Sequence, residues 1–128
     1  MSAAPKAAAI LDTPLRARSL IEASAGTGKT YALAALFARA VIVERLRLAQ
    51  ILAVTYTVAA TQELHERVRL RLQQAAALAR QWRDGDPGQV GSDSAEAALL
   101  CRLIHAALAD GRDSPTALRV RLQRAARE

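Results

Sequence analysis

The sequence predicts an α/β fold, a βαβ core with parallel strands followed by a helical appendage, and three observations predict it. The first is Leu20 to Thr30 (Leu-Ile-Glu-Ala-Ser-Ala-Gly-Thr-Gly-Lys-Thr), which reads as a short apolar strand, a glycine-bearing turn and a helix start. The second is Gln50 to Tyr56, a near-continuous apolar run with β-branched members, as in a strand covered on both faces. The third is an Ala- and Leu-rich remainder with only 3% aromatics, a composition that favours helices. A length of 128 residues suits one compact domain and not two.

Taken in order, residues 1–17 read as irregular, with Pro5 and Pro14 as breakers. Ser19 to Ala23 is the first expected strand. Lys29 to about Arg47 reads as a helix apolar on most of its circumference (Leu33, Leu36, Phe37, Ala40, Val41 and Val43), and such a helix is a buried one. Gln50 to Tyr56 supplies the second strand, parallel to the first if one sheet holds both. Thr57 then caps a helix from Val58 to about Trp82, with Ala60, Leu64, Val68 and Leu72 as its buried stripe. The series Arg67, Arg69 and Arg71 reads as a solvated face. Asp84 to Asp93 is rich in breakers and marks the clearest internal boundary. Asp93 with Glu96 forms a capping box for a helix from Ser94 to Ala109. Ser114 and Pro115 read as an N-cap and a first-turn proline, opening a last helix that reaches the chain end. The division expected is 1–17 irregular, 18–82 the βαβ portion, 83–93 a loop and 94–128 helical.

Composition bounds the function. Hydrophobic residues at 52% and charged residues at 23% allow a buried core and exclude compositional disorder. The net charge of +6 suits a polyanionic partner, although an Ala/Arg-rich bias weakens that argument. The single Cys101 excludes an internal disulfide and fits a reducing compartment. His65 and His105 lie far apart and make no recognisable metal site with it. Met1 to Ile10 is too brief and too weakly apolar for a signal sequence, and Tyr31 to Val43 is broken by Arg39 and too short to span a membrane. The expectation is a soluble cytoplasmic protein without a membrane partner.

The chemistry concentrates in Ala23, Ser24, Ala25, Gly26, Thr27, Gly28, Lys29 and Thr30, which follow the phosphate-binding pattern G-x-x-x-x-G-K-[ST] with Ala23 in place of the first glycine. Gly26 and Gly28 let successive N–H groups converge on an anion, and the helix start adds unsatisfied N–H groups and a positive dipole end. Lys29 supplies a mobile charge for the β- and γ-phosphates, and the Thr30 hydroxyl can ligate Mg²⁺. Lys29 is one of only two lysines in the chain. The bland alternative is a glycine turn ahead of a helix with Lys29 solvated. It explains less, because a cation at a helix N-terminus is mildly unfavourable without an anion there. The pattern points to a core of the P-loop NTPase type, RecA-like and partial in extent, that holds a nucleotide's phosphates together with Mg²⁺.

A second cluster, Thr55, Tyr56, Thr57, Ala60 and Thr61, sits at the start of the Val58 helix. Hydroxyls and free N–H groups there can hold a nucleic-acid phosphate, and Tyr56 offers a ring for a base. From spacing alone, ordinary strand filling and an ordinary cap explain these residues better.

The two stretches together, about 20 residues apart, resemble the start of the RecB family of exodeoxyribonuclease V beta subunits, within the UvrD-like superfamily 1 helicases. The resemblance spans about residues 11–72, and the AddA-type helicase–nucleases begin similarly. It implies an ATP-driven 3′-to-5′ DNA helicase and exonuclease subunit acting on double-strand break ends with RecC-like and RecD-like subunits in repair and recombination. It further implies that residues 23–30 hold ATP and Mg²⁺, and that residues 55–61 touch the single-strand backbone with Tyr56 near a base. Val58 stands where relatives usually carry Asn or Glu, Tyr56 replaces the commoner Phe, and no adenine-reading glutamine precedes the loop. No apolar strand ending in Asp-Glu follows Tyr56, and Asp110 and Asp113 fall in a helix–helix turn. The expectation is therefore an N-terminal piece of a larger motor, inactive alone. The competing readings are a small stand-alone P-loop phosphotransferase, which would need such a carboxylate, and a non-enzymatic remnant whose helices bind a partner.

Overall fold

The computed structural model describes residues 7–20, 29–82 and 94–128. Helix α1 is Ala7–Asp12, α2 Lys29–Ile42, α3 Val58–Gln81, α4 Ala95–Ala109 and α5 Pro115–Ala125, with a single 3₁₀ turn at Leu48–Gln50. Helix α2 lies at the centre and packs on each of the other four. Its sequence explains the position. Ala32, Ala34, Ala35, Ala38 and Ala40 are buried on several sides of it, and a methyl group lets neighbouring helices approach closely all round.

Helix α3 lays Leu64, Val68, Leu72, Ala75, Ala76 and Ala79 against that centre. Helix α4 contributes Leu99, Leu100, Leu103, Ile104 and Ala107, and α5 contributes Leu118 and Leu122. Three helices start on the hydroxyl caps that Ser/Thr residues provide. The Thr57 hydroxyl accepts from the Ala60 N–H at 3.0 Å, Ser94 from Ala97 at 3.1 Å and Ser114 from Ala117 at 3.1 Å. For α4 this moves the cap one residue from the expected Asp93, which lies outside the described residues, and Glu96 pairs with Arg71 instead of closing a box.

Helix α2 ends at Ile42, short of the expected Arg47, because Arg45 takes a left-handed backbone (φ 59°) that no helix continues through. The conformation is held from outside. The Arg45 side chain pairs with Asp110 and Asp113, each at 3.2 Å, while Arg121 donates to the last carbonyls of α2, Val41 and Ile42, and to Asp113 Oδ2 at 2.6 Å. Arg121 of α5 thus caps the C-terminal end of α2, and the turn between α4 and α5 holds Arg45 in place.

The fold class differs from the prediction. Among the described residues there is no strand and no sheet, so the parallel βαβ core of a RecA-like P-loop NTPase is not formed there. Gln50 closes the 3₁₀ turn, and Ile51 has extended backbone (φ −111°, ψ 125°), yet no described neighbour pairs with the segment that follows. A strand exists only through its ladder, and without one the run leaves its Leu52 and Val54 side exposed, at 88% and 86% accessible, while Ile51 packs partly against the core. The first expected strand fares no better at Ser19 and Leu20, which are irregular, and residues 21–23 lie outside the described residues. In the segment expected to be irregular, α1 forms, because Arg39 of α2 donates to the carbonyls of Ile10 at 2.8 Å and Thr13 at 2.5 Å.

Candidate functional site

Lys29 opens α2, and Thr30 follows it half-buried. The remaining predicted loop residues, Ala23, Ser24, Ala25, Gly26, Thr27 and Gly28, lie outside the described residues. Lys29 is exposed, no acidic residue occupies the first turn of α2, and among the described residues no carboxylate forms an ion pair with it. A cation at the positive end of a helix dipole with no counter-charge beside it is an arrangement an anion would complete. The donor set fits a nucleotide's phosphates: an ammonium, the first-turn N–H groups of α2 and, beside them, a hydroxyl suited to Mg²⁺.

The second cluster is brought together by the start of α3. Thr57 caps the helix, Thr61 Oγ1 donates to the Thr57 carbonyl at 3.0 Å, and Thr55 Oγ1 donates to the same carbonyl at 3.3 Å and meets Thr61 Oγ1. The Thr55 and Thr61 hydroxyls are thus engaged with the turn itself. What faces outward is the Tyr56 ring, fully exposed, and the first-turn N–H groups of Val58 and Ala59, with Ala60 half-buried behind them. A ring for stacking beside unsatisfied N–H donors is chemistry that suits a base and its phosphate. Below Thr61 on the same face of α3, His65 and Arg69 line a groove of about 370 Å³ closed by Phe37, Ile51 and the chain end.

Sequence reasoning missed one residue of this region. Arg67 and Arg69 are exposed as expected, but Arg71 is buried. The signal was its spacing: it follows Val68 by three residues and precedes Ala75 by four, which places it on the buried stripe of α3. Its guanidinium lies 5.6 Å from the ring centre of Tyr31, which directly follows Thr30. Burial raises the Tyr31 phenol above its ordinary value, the nearby Arg71 charge opposes this, and Glu96 adds to it.

The carboxylates nearest to a hydrolytic role are structural. The Arg112 N–H, at 2.9 Å, and the Arg45 guanidinium hold the Asp110 carboxyl below its ordinary range, and Asp113 is shared between Arg45 and Arg121. Cys101 is half-buried, and burial pushes its thiol up, away from a reactive thiolate. No group of three His, Cys, Asp or Glu among the described residues could hold a metal, and no helix there is long and apolar enough to cross a membrane.

Comparison with known proteins places these observations in a family. Residues 3–107 match the model of the UvrD/REP helicase N-terminal domain. The RecB subunit of the RecBCD enzyme of Escherichia coli (strain K12) is 46% identical over 67 residues, covering 46% of this chain and 6% of that protein. The RecB subunit of Haemophilus influenzae (strain ATCC 51907 / DSM 11121 / KW20 / Rd) is 44% identical over 69 residues, 48% of this chain and 6% of its own length. That of Mycolicibacterium smegmatis (strain ATCC 700084 / mc(2)155) is 52% identical over 54 residues, 42% of this chain and 5% of its own. The chain therefore corresponds to about a twentieth of the length of these relatives. No solved structure matches it.

Proposed function

The chain belongs to the UvrD/REP helicase N-terminal domain family, and from that premise we propose that it is the ATP- and single-strand-contacting front of a RecB-type helicase subunit. Ala23, Ser24, Ala25, Gly26, Thr27, Gly28, Lys29 and Thr30 hold the nucleotide: Lys29 neutralises the β- and γ-phosphates, and Thr30 ligates Mg²⁺. Bound ATP supplies the free energy for translocation; these residues bind and orient its phosphates. Thr55, Tyr56, Thr57, Ala60 and Thr61 contact single-stranded DNA, with first-turn N–H groups of α3 on a phosphate and Tyr56 against a base.

The observation that carries this reading is Lys29, exposed at the first residue of an apolar helix that packs into the core, with no described carboxylate beside it, inside the matched residues. The engagement of Asp110 and Asp113 by arginines supports a further point, that these 128 residues bind nucleotide without hydrolysing it. Translocation in the 3′-to-5′ sense, exonuclease action at break ends, RecC-like and RecD-like partners and a cytoplasmic setting belong to the same proposal and follow from the RecB likeness.

Titration calorimetry with ATP and Mg²⁺ tests it. Lys29→Ala is expected to abolish measurable binding while leaving the urea midpoint unchanged. Equal binding by both chains, or turnover by the unsubstituted one, would refute the assignment.

A further inference from the structure

Arg71 is 6% exposed and is the one buried charged side chain among the described residues. Its contacts come from three helices. Nη2 pairs with Glu96 Oε1 of α4 at 2.5 Å, Nη1 donates to Gln74 Oε1 of α3 at 2.9 Å, and the guanidinium carbon lies 5.6 Å from the centre of the Tyr31 ring of α2. Stability alone does not account for a charge here. A buried ion pair is often no better than a well-packed hydrophobic residue of similar volume, and α3 fills the neighbouring buried positions with valine, leucine and alanine. What a guanidinium adds is direction, through a planar fork whose partners must sit at fixed angles and whose face packs on an aromatic ring. Two of those partners, Tyr31 and Glu96, lie on different helices from Arg71 itself. Tyr31 is the residue after Thr30.

We infer that Arg71 is a positioning residue for the nucleotide site: by holding the Tyr31 ring against α3 and the Glu96 carboxylate of α4, it fixes the first turn of α2 and so the placement of Lys29 and Thr30. This rests on the reading of Lys29 and Thr30 as nucleotide ligands. Arg71 touches no phosphate and acts only through Tyr31. The exposed arginines Arg67 and Arg69 on the same helix make no such contact with described residues.

The test uses the whole chain carrying Arg71→Met, Arg71→Lys or Glu96→Gln, with two measurements on each. In the nucleotide-free chain, amide hydrogen exchange is followed at Leu33 and Ala34, whose helical acceptors are the Lys29 and Thr30 carbonyls. Arg71→Met is expected to speed exchange at these amides and leave those of α5 unchanged. In calorimetry, its affinity for ATP and Mg²⁺ is expected to fall roughly tenfold, with Arg71→Lys recovering part of the loss and Glu96→Gln showing a smaller one. Faster exchange throughout the chain together with a lower urea midpoint would make Arg71 an ordinary core residue and overturn the inference. If the unsubstituted chain binds no ATP, the nucleotide reading falls and this one with it. If that chain binds ATP and the Arg71→Met chain binds it equally well, the positioning role alone is overturned.

Discussion

Residues 94–125 and residues 51–58 are both rich in apolar side chains, yet one region buries them and the other, Ile51 apart, leaves them exposed. In α4 and α5, Leu99, Leu100, Leu103, Ile104, Leu118 and Leu122 are all buried, both helices begin on a serine hydroxyl, and the turn between them is tied by Asp110 and Asp113 to Arg45 and Arg121. In the other region, Leu52, Val54, Tyr56 and Val58 are exposed, and no described element covers them. The difference is one of hydrogen-bond range. A helix satisfies its backbone within itself and needs only a neighbour for one face, whereas an extended segment must find a second segment before either face is worth covering. The region that carries no recognisable chemistry is the well-packed one. The exposed one contains Thr55, Tyr56 and Thr57 of the candidate DNA-contacting residues.

The largest effect that separates the two regions is expected at Leu122, which is fully buried between helices. Leu122→Ala removes a core side chain and leaves a cavity, costing about 2–5 kcal/mol in urea unfolding followed by circular dichroism. A loss no larger than that of a surface substitution would mean that α5 does not belong to the cooperative core, and the contrast between the regions would disappear.

Next in size is the loss of a cap. Ser114→Ala removes the acceptor for the Ala117 N–H and is expected to lower stability by about 1 kcal/mol in the same measurement. The cap of α3, Thr57, has the same geometry but stands in the exposed region. Thr57→Ala should cost no more than Ser114→Ala, and a greater cost would show that the Thr55–Thr61 cluster is a structural hub and not only a candidate contact surface.

These particulars show how much was legible in the sequence. The starts of α3 and α5 could be read from Thr57 and from Ser114 with Pro115, because capping is local chemistry written within four residues. Three positions of the buried face of α3, Leu64, Val68 and Leu72, could be read from their repeat, whereas Ala60 at its head is only half-buried. Helix α1 could not, since a six-residue helix has no stability of its own and depends on Arg39 reaching it from 26 and 29 residues away in sequence. The apolar run at Gln50–Tyr56 was legible as a strand in pattern only, because pattern encodes which faces suit burial and not whether a pairing edge is present. The site divides in the same way. The lysine and threonine at positions 29 and 30 follow from the motif, whereas the buried setting of Arg71 depends on Tyr31 and Glu96, distant in sequence on both sides.

The smallest expected effect is the sharpest statement of the comparison. Leu52→Ser changes a large apolar side chain that is 88% accessible and is expected to alter stability by no more than about 0.5 kcal/mol, because little area leaves or enters water. The same substitution at a buried leucine would be among the most damaging in the chain. Its measurable consequence should lie elsewhere, in a reduced tendency of the chain to self-associate in sedimentation, since an exposed extended apolar segment is an adhesive edge. A clear loss of stability would mean that Leu52 is covered in solution, and residues 52–58 would then have to be counted with the core.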